Sequence, residues 1–98
     1  MRIIAHRGNL DGPNKDFENY PGYIDIALKS GYDAEVDLWK VGNSFYLGHD
    51  EPSHQIDFEW LVSRRGKLWV HCKNLDAIEM LATENVEYLN FFWHQEDK

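Results

Sequence analysis

A chain of 98 residues is enough for one small domain with one modest core. Its formal net charge of −7 argues against a surface built for nucleic acid or anionic lipid, since both call for a positive face. Hydrophobic residues at 43% and aromatics at 14% mark a folding chain, and the single cysteine, Cys72, excludes an intrachain disulfide and fits a reducing compartment.

In chain order, "RIIAH" (2–6) is an apolar run closed by Gly8 and predicts a short buried strand. It also leaves no room for a signal-peptide core, and no window approaches the roughly 18 apolar residues of a membrane span, so a soluble, cytoplasmic protein is expected. Residues 8–22 hold three glycines, two prolines and three asparagines and predict a loop. "YIDIALKSG" has helical spacing, with Ile24, Ala27 and Leu28 on one face and Gly31 placed to stop it. "YDAEVDLWKV" (32–41) predicts a strand, and Gly42-Asn43 followed by "SFYLGHD" predicts a hairpin return. Residues 51–55 are turn-like, "IDFEWLVSRRG" predicts a helix ending at Gly66, and "KLWVHC" a further core strand. "NLDAIEMLATEN" predicts a helix with Leu75, Ile78, Met80 and Leu81 as apolar positions, and "VEYLNFFW" a last strand. Strands alternating with helices at this spacing predict a single α/β domain over 1–98 with a largely parallel sheet.

In such a sheet the ligand site lies beyond the carboxyl ends of the strands, and here those ends are polar. They carry His6-Arg7-Gly8, Glu35 and Asp37, His49-Asp50, His71-Cys72-Lys73, and His94. Glu35 and Asp37 are two residues apart, so an extended chain aims both at one face. Two neighbouring carboxylates repel unless a cation lies between them, and a hard divalent ion such as Mg²⁺ or Ca²⁺ removes the penalty. A solvated strand face is the plain reading of a lone Glu-x-Asp, but four histidine-bearing strand ends beside it favour a site. His6 and His49 suit proton transfer near neutral pH, and the fork of Arg7 suits a phosphate or carboxylate. His71 and Lys73 share a face in the same way as Glu35 and Asp37. Other features have plainer readings: Arg64-Arg65-Gly66-Lys67 as a solvated helix end, and Trp39, Tyr46, Phe91, Phe92 and Trp93 as core before pocket.

The ordered series "IAHRG", "FENY", "AEVDLWK" and "YLGHD" resembles the N-terminal half of the glycerophosphodiester phosphodiesterases, over roughly residues 3–73. The resemblance implies the first three to four units of a (β/α)₈ TIM-type barrel, with a small hairpin insertion after the second strand. It implies a metal-dependent hydrolase of lipid metabolism, cutting glycerophosphodiesters or similar diesters by a two-histidine acid/base mechanism. His6 and His49 fall on the catalytic pair, Arg7 and Lys73 on phosphate contacts, Glu35 and Asp37 on metal ligands, and Glu18 on a supporting position. The family's third strand presents Glu-x-Lys where this chain has His71-x-Lys73. Histidine in that place shifts the expected ion from Mg²⁺ or Ca²⁺ toward Mn²⁺ or Zn²⁺. Two alternatives stay open: an incomplete barrel that binds a phosphorylated ligand or a partner chain without catalysis, and a cyclising phosphodiesterase of the phospholipase C kind. A barrel of this type takes roughly 250 residues, so the expected companions are a small phosphodiester and either a second copy or the remainder of a longer barrel.

Overall fold

The computed structural model describes residues 4–8, 18–84 and 86–93, with Ala5, His6 and Trp93 described by their backbones alone. Among the described residues six strands and three helices follow in the order β1 (Ile4–His6), α1 (Pro21–Lys29), β2 (Asp33–Val41), β3 (Ser44–Leu47), β4 (His54–Ile56), α2 (Phe58–Val62), β5 (Leu68–Cys72), α3 (Leu75–Glu84) and β6 (Asn90–Trp93). The strands form one mixed α/β sheet in the order β4-β3-β2-β5-β6, with β1 also paired to β2. The β1–β2, β2–β5 and β5–β6 pairings are parallel, and β2–β3 and β3–β4 are antiparallel. The predicted hairpin over Gly42-Asn43 is therefore present. Among the described residues no helix is long and apolar enough to cross a membrane.

Alternation sorts the sheet into two faces. Ala34, Val36 and Leu38 of β2 and Leu68, Val70 and Cys72 of β5 are fully buried and join Ile24, Leu61, Ala77 and Leu81 from the helices in one core. The other register positions carry Glu35 opposite Trp69, Asp37 opposite His71, and Phe92 opposite His71. Chemistry and core thus separate by strand parity alone.

The helix ends follow local rules. Pro21 opens α1, where its missing N–H costs nothing, and Gly31 at φ 92° closes it. The N–H groups of Gly31 and Tyr32 then bond to the carbonyls of Leu28 and Ala27. Asp57 caps α2 by accepting from the Trp60 N–H at 2.9 Å. Asn74 caps α3 at the Ala77 N–H, and its amide also meets both the N–H and the carbonyl of Lys40. One side chain thereby extends the β2 ladder and fixes the start of α3.

Three boundaries differ from expectation. The turn-like residues 51–55 run into β4, a three-residue strand too short and too polar to show a period. The second helix is shorter than 56–66, because Asp57 caps it and Ser63 to Gly66 form a turn. The last strand starts at Asn90 rather than Val86, because Tyr88 sits at φ 66° in a turn whose carbonyl accepts from the Gly66 N–H.

Burial pushes the Cys72 thiol from 9.0 up to about 12. The folded chain should therefore resist alkylation at pH 8, with about 10³-fold less thiolate than the urea-unfolded chain. Because the folded value is the raised one, this contribution to stability is complete below pH 9 and is lost as pH climbs toward 12. Equal labelling rates in folded and unfolded protein would show that the strand opens freely.

Candidate functional site

The site forms at a discontinuity in the sheet. One edge of β2 pairs with β1 over Asp33 to Glu35 and with β3 from Leu38 onward, leaving Val36 and Asp37 between the two partners. Backbone groups stranded there need other partners. The Asp37 carbonyl accepts from the Gly48 N–H at 3.1 Å, and the Asp37 N–H donates to Asn19 Oδ1 at 2.8 Å. The polar loop 18–20 and the end of the hairpin are thus drawn to one point beside Asp37.

The chain reaches that point by unusual backbone angles. Arg7 at φ 55° and Gly8 at φ 84° turn the chain sharply after β1. A side chain at Gly8 would press on Ile24 Cδ1 at 2.9 Å and Tyr23 Cδ2 at 3.0 Å, so both angle and space demand glycine. The Arg7 N–H bonds to the Glu35 carbonyl and the Arg7 carbonyl accepts from the Asn19 N–H. Asn19 is itself at φ 61°, a conformation asparagine tolerates better than most residues.

Asp37 is fully buried and serves as a hub. Its Oδ2 accepts from Asn19 Nδ2 at 2.9 Å and faces Arg7 Nε at 3.2 Å, while Oδ1 lies 3.1 Å from His71 Nδ1. An ionised carboxylate only accepts, so His71 Nδ1 carries a proton here. The His71 ring is 5% exposed in its residue and stacks flat on Phe92, with centroids 4.9 Å apart and planes 9° apart. Glu18 adds a second carboxylate to Arg7, Oε2 to Nη1 at 3.4 Å.

Beside this hub lies a cleft of about 450 Å³ lined by Arg7, Glu18, Gly48, His49 and residues 50, 51, 53 and 54. His49 Nδ1 is 3.0 Å from Asp50 Oδ1, which again places the proton on Nδ1. His54, edge-on to Tyr20 with centroids 5.5 Å apart, enters the same cleft.

Of the residues expected at the site, Arg7, Glu18 and His49 meet in the cleft, and Asp37 and His71 meet behind Arg7. His6 holds the register position opposite Glu35 at the end of β1. Lys73 donates its backbone N–H to the Leu38 carbonyl and is not among the residues lining the cleft. His94 lies outside the described residues. Two residues that sequence reasoning missed are Asn19 and His54. The "EN" pair drew attention to Glu18, but the asparagine beside it, able to donate and accept at once, does the clamping.

The donor set can be tested against a divalent ion. Among the described residues no three His, Cys, Asp or Glu side chains converge on one point. Both Asp37 oxygens already accept from nitrogen donors, and His71 turns a proton-bearing nitrogen toward them. In this arrangement Asp37 and His71 do not fit a cation. No family model, curated protein or solved structure matches this chain.

Proposed function

We propose that this chain is a phosphodiester-cleaving domain, acting on glycerophosphodiesters or similar small diesters with histidine as the proton carrier. The observation that carries the reading is that Arg7 and His49, 42 positions apart in sequence, line one cleft formed by the segments that follow β1 and β3. A diester needs a fixed positive charge for its phosphoryl oxygens and a group to protonate the leaving alcohol. Arg7 is suited to the first task. Its edge already holds one anionic oxygen of Glu18 at 3.4 Å, longer than the usual 2.7–2.9 Å of a charge-assisted bond, so a phosphoryl oxygen can replace it. His49 has Nδ1 on Asp50 and its Nε2 buried, so Nε2 would meet the leaving alcohol once the ring turns toward the cleft. His6 would be the second proton carrier.

The test is hydrolysis of bis(p-nitrophenyl) phosphate and of a glycerophosphodiester by the purified chain, with loss of rate in His49→Ala. A cyclic phosphate among the products would assign the cyclising reaction instead.

The same reading takes the sheet as part of a (β/α)₈ barrel, completed by a second copy or by further chain. Two features support it. β6 is an end strand of the sheet, and the Trp69 indole N–H is buried without a hydrogen-bond partner among the described residues. Unpaired strand edges and orphan donors favour association. Light scattering after gel filtration should give a mass above the 11.6 kDa of one chain. A stable monomer with cooperative unfolding would leave an open α/β sheet as the whole fold.

A further inference from the structure

We propose that Arg7 fills the position a divalent ion would take beside Asp37, so that guanidinium and cation exclude one another at this site. The inference rests on the reading of this cleft as an anion site only for the ligand it names. Its test does not depend on hydrolysis.

A fully buried carboxylate is costly unless its charge is met and its lone pairs are filled. A hard cation can do this, and so can a set of nitrogen donors. Here the partners are in place: Asn19 Nδ2 donates to one oxygen at 2.9 Å, the Arg7 charge lies beside that oxygen with Nε at 3.2 Å as an ion pair rather than a hydrogen bond, and His71 Nδ1 lies 3.1 Å from the other. Arg7 is not a passing contact. Its backbone is pinned on both sides, N–H to Glu35 and carbonyl to Asn19, at a positive φ of 55°. An arginine held in the left-handed region costs on the order of 1 kcal/mol and persists only where the surroundings fix it. The chain thus bends after β1 in a way that delivers this guanidinium to Asp37.

A cation at Asp37 would meet three obstacles. It would have to displace Arg7 Nε from Oδ2, leave that fixed charge within a few ångströms of a dication, and turn away the protonated nitrogen of His71. Lone carboxylates could outbid water for such an ion, but this one is already engaged. Where a third carboxylate would offer oxygen, His71 offers a ring stacked against Phe92. With Arg7 in the cation's place, the guanidinium carries both duties: it neutralises Asp37 through Nε and presents Nη1 to the cleft, where Glu18 Oε2 lies at 3.4 Å. The ligand class is then an anionic oxygen, met by arginine without a bridging ion.

The experiment is direct titration of the full chain with Mn²⁺, Mg²⁺ and Ca²⁺, followed by calorimetry, Mn²⁺ electron paramagnetic resonance and thermal midpoint. Wild type should show no saturable uptake at millimolar metal and the same midpoint in chelator as in metal. A site loaded at about 100 times its Kd would instead raise the midpoint by about 10 °C or more. Arg7→Gln should gain saturable Mn²⁺ binding, by at least about tenfold over wild type, because it removes the competing charge at about 1.4 kcal/mol per tenfold. Should that variant fail to fold, His71→Glu gives the second readout: it supplies an oxygen ligand while Arg7 stays, and with the guanidinium still beside Asp37 it should show no saturable Mn²⁺ uptake at millimolar metal, whereas saturable uptake there would overturn the proposal. Inorganic phosphate should bind wild type in the presence of chelator. Saturable Mn²⁺ uptake by wild type that Asp37→Asn abolishes would overturn the proposal. So would phosphate binding that requires added metal. Absence of diesterase activity would retire the hydrolase reading and leave the exclusion of cation standing.

Discussion

Asp37→Ala is expected to cost the fold about 3–5 kcal/mol, the range for removing one partner of a buried ion pair. The carboxylate is fully buried and holds Asn19, Arg7 and His71 together. Its loss strands the Asn19 amide and the His71 N–H, each unsatisfied donor at a desolvation cost of about 1–3 kcal/mol, and removes the buried counter-charge of Arg7. Small domains have only about 5–15 kcal/mol in hand, so the urea midpoint should fall by a large fraction of its value. Asp37→Asn, with the same shape, should cost less, because one amide oxygen remains to accept. Glu35→Ala should cost less than either, since Glu35 is only half-buried on the same strand face. A loss at Asp37 below about 1 kcal/mol would mean that the three groups find other partners and that the hub is not what fixes the β1 turn.

That contrast bears on why a strand places two carboxylates on one face. Spacing is enough to say that Glu35 and Asp37 share a face, and the register confirms it, with Glu35 opposite Trp69 and Asp37 opposite His71. Spacing does not say what faces them. The partner of Asp37 comes from the turn after β1 and from Asn19, and loop paths of that kind leave no periodic trace in sequence. The apolar alternation of β2 and β5 was legible because each strand buries one full face. β4 was not, since three residues with one buried apolar side chain do not make a pattern. The cleft itself was half legible. Polar strand ends pointed to Arg7 and His49, whereas His54 enters from a short strand that reads as turn. The aromatic run of β6 divided by parity: Phe91 packs on the core and Phe92 lies flat on His71. A core reading of all such aromatics therefore overlooks one that supports the site.

The histidine variants carry the largest expected effect on activity. If diester cleavage runs through imidazole proton transfer, His49→Ala should lower kcat by about 10²–10⁴-fold, and His6→Ala by a similar factor. The two should not add in the double variant, because residues that act on one proton path fail together. His49 lines the cleft with Arg7, and with Nδ1 held by Asp50 at 3.0 Å the proton would move through Nε2, which is buried and needs the ring to turn toward a bound diester. Asp50→Asn should have a much smaller effect than His49→Ala, because the Asp50 side chain is 93% exposed and its contact is screened by water. Arg7→Ala should act differently, raising KM as well as lowering kcat, since phosphate contact operates in the ground state and the transition state alike. Folding of each variant is checked by its urea midpoint, which His49→Ala should leave close to wild type because its ring lies at the cleft and not in the core. Wild-type rates in both alanine variants would remove the histidines from the chemistry and leave the Arg7 cleft as a place where a phosphorylated ligand is held but not cut.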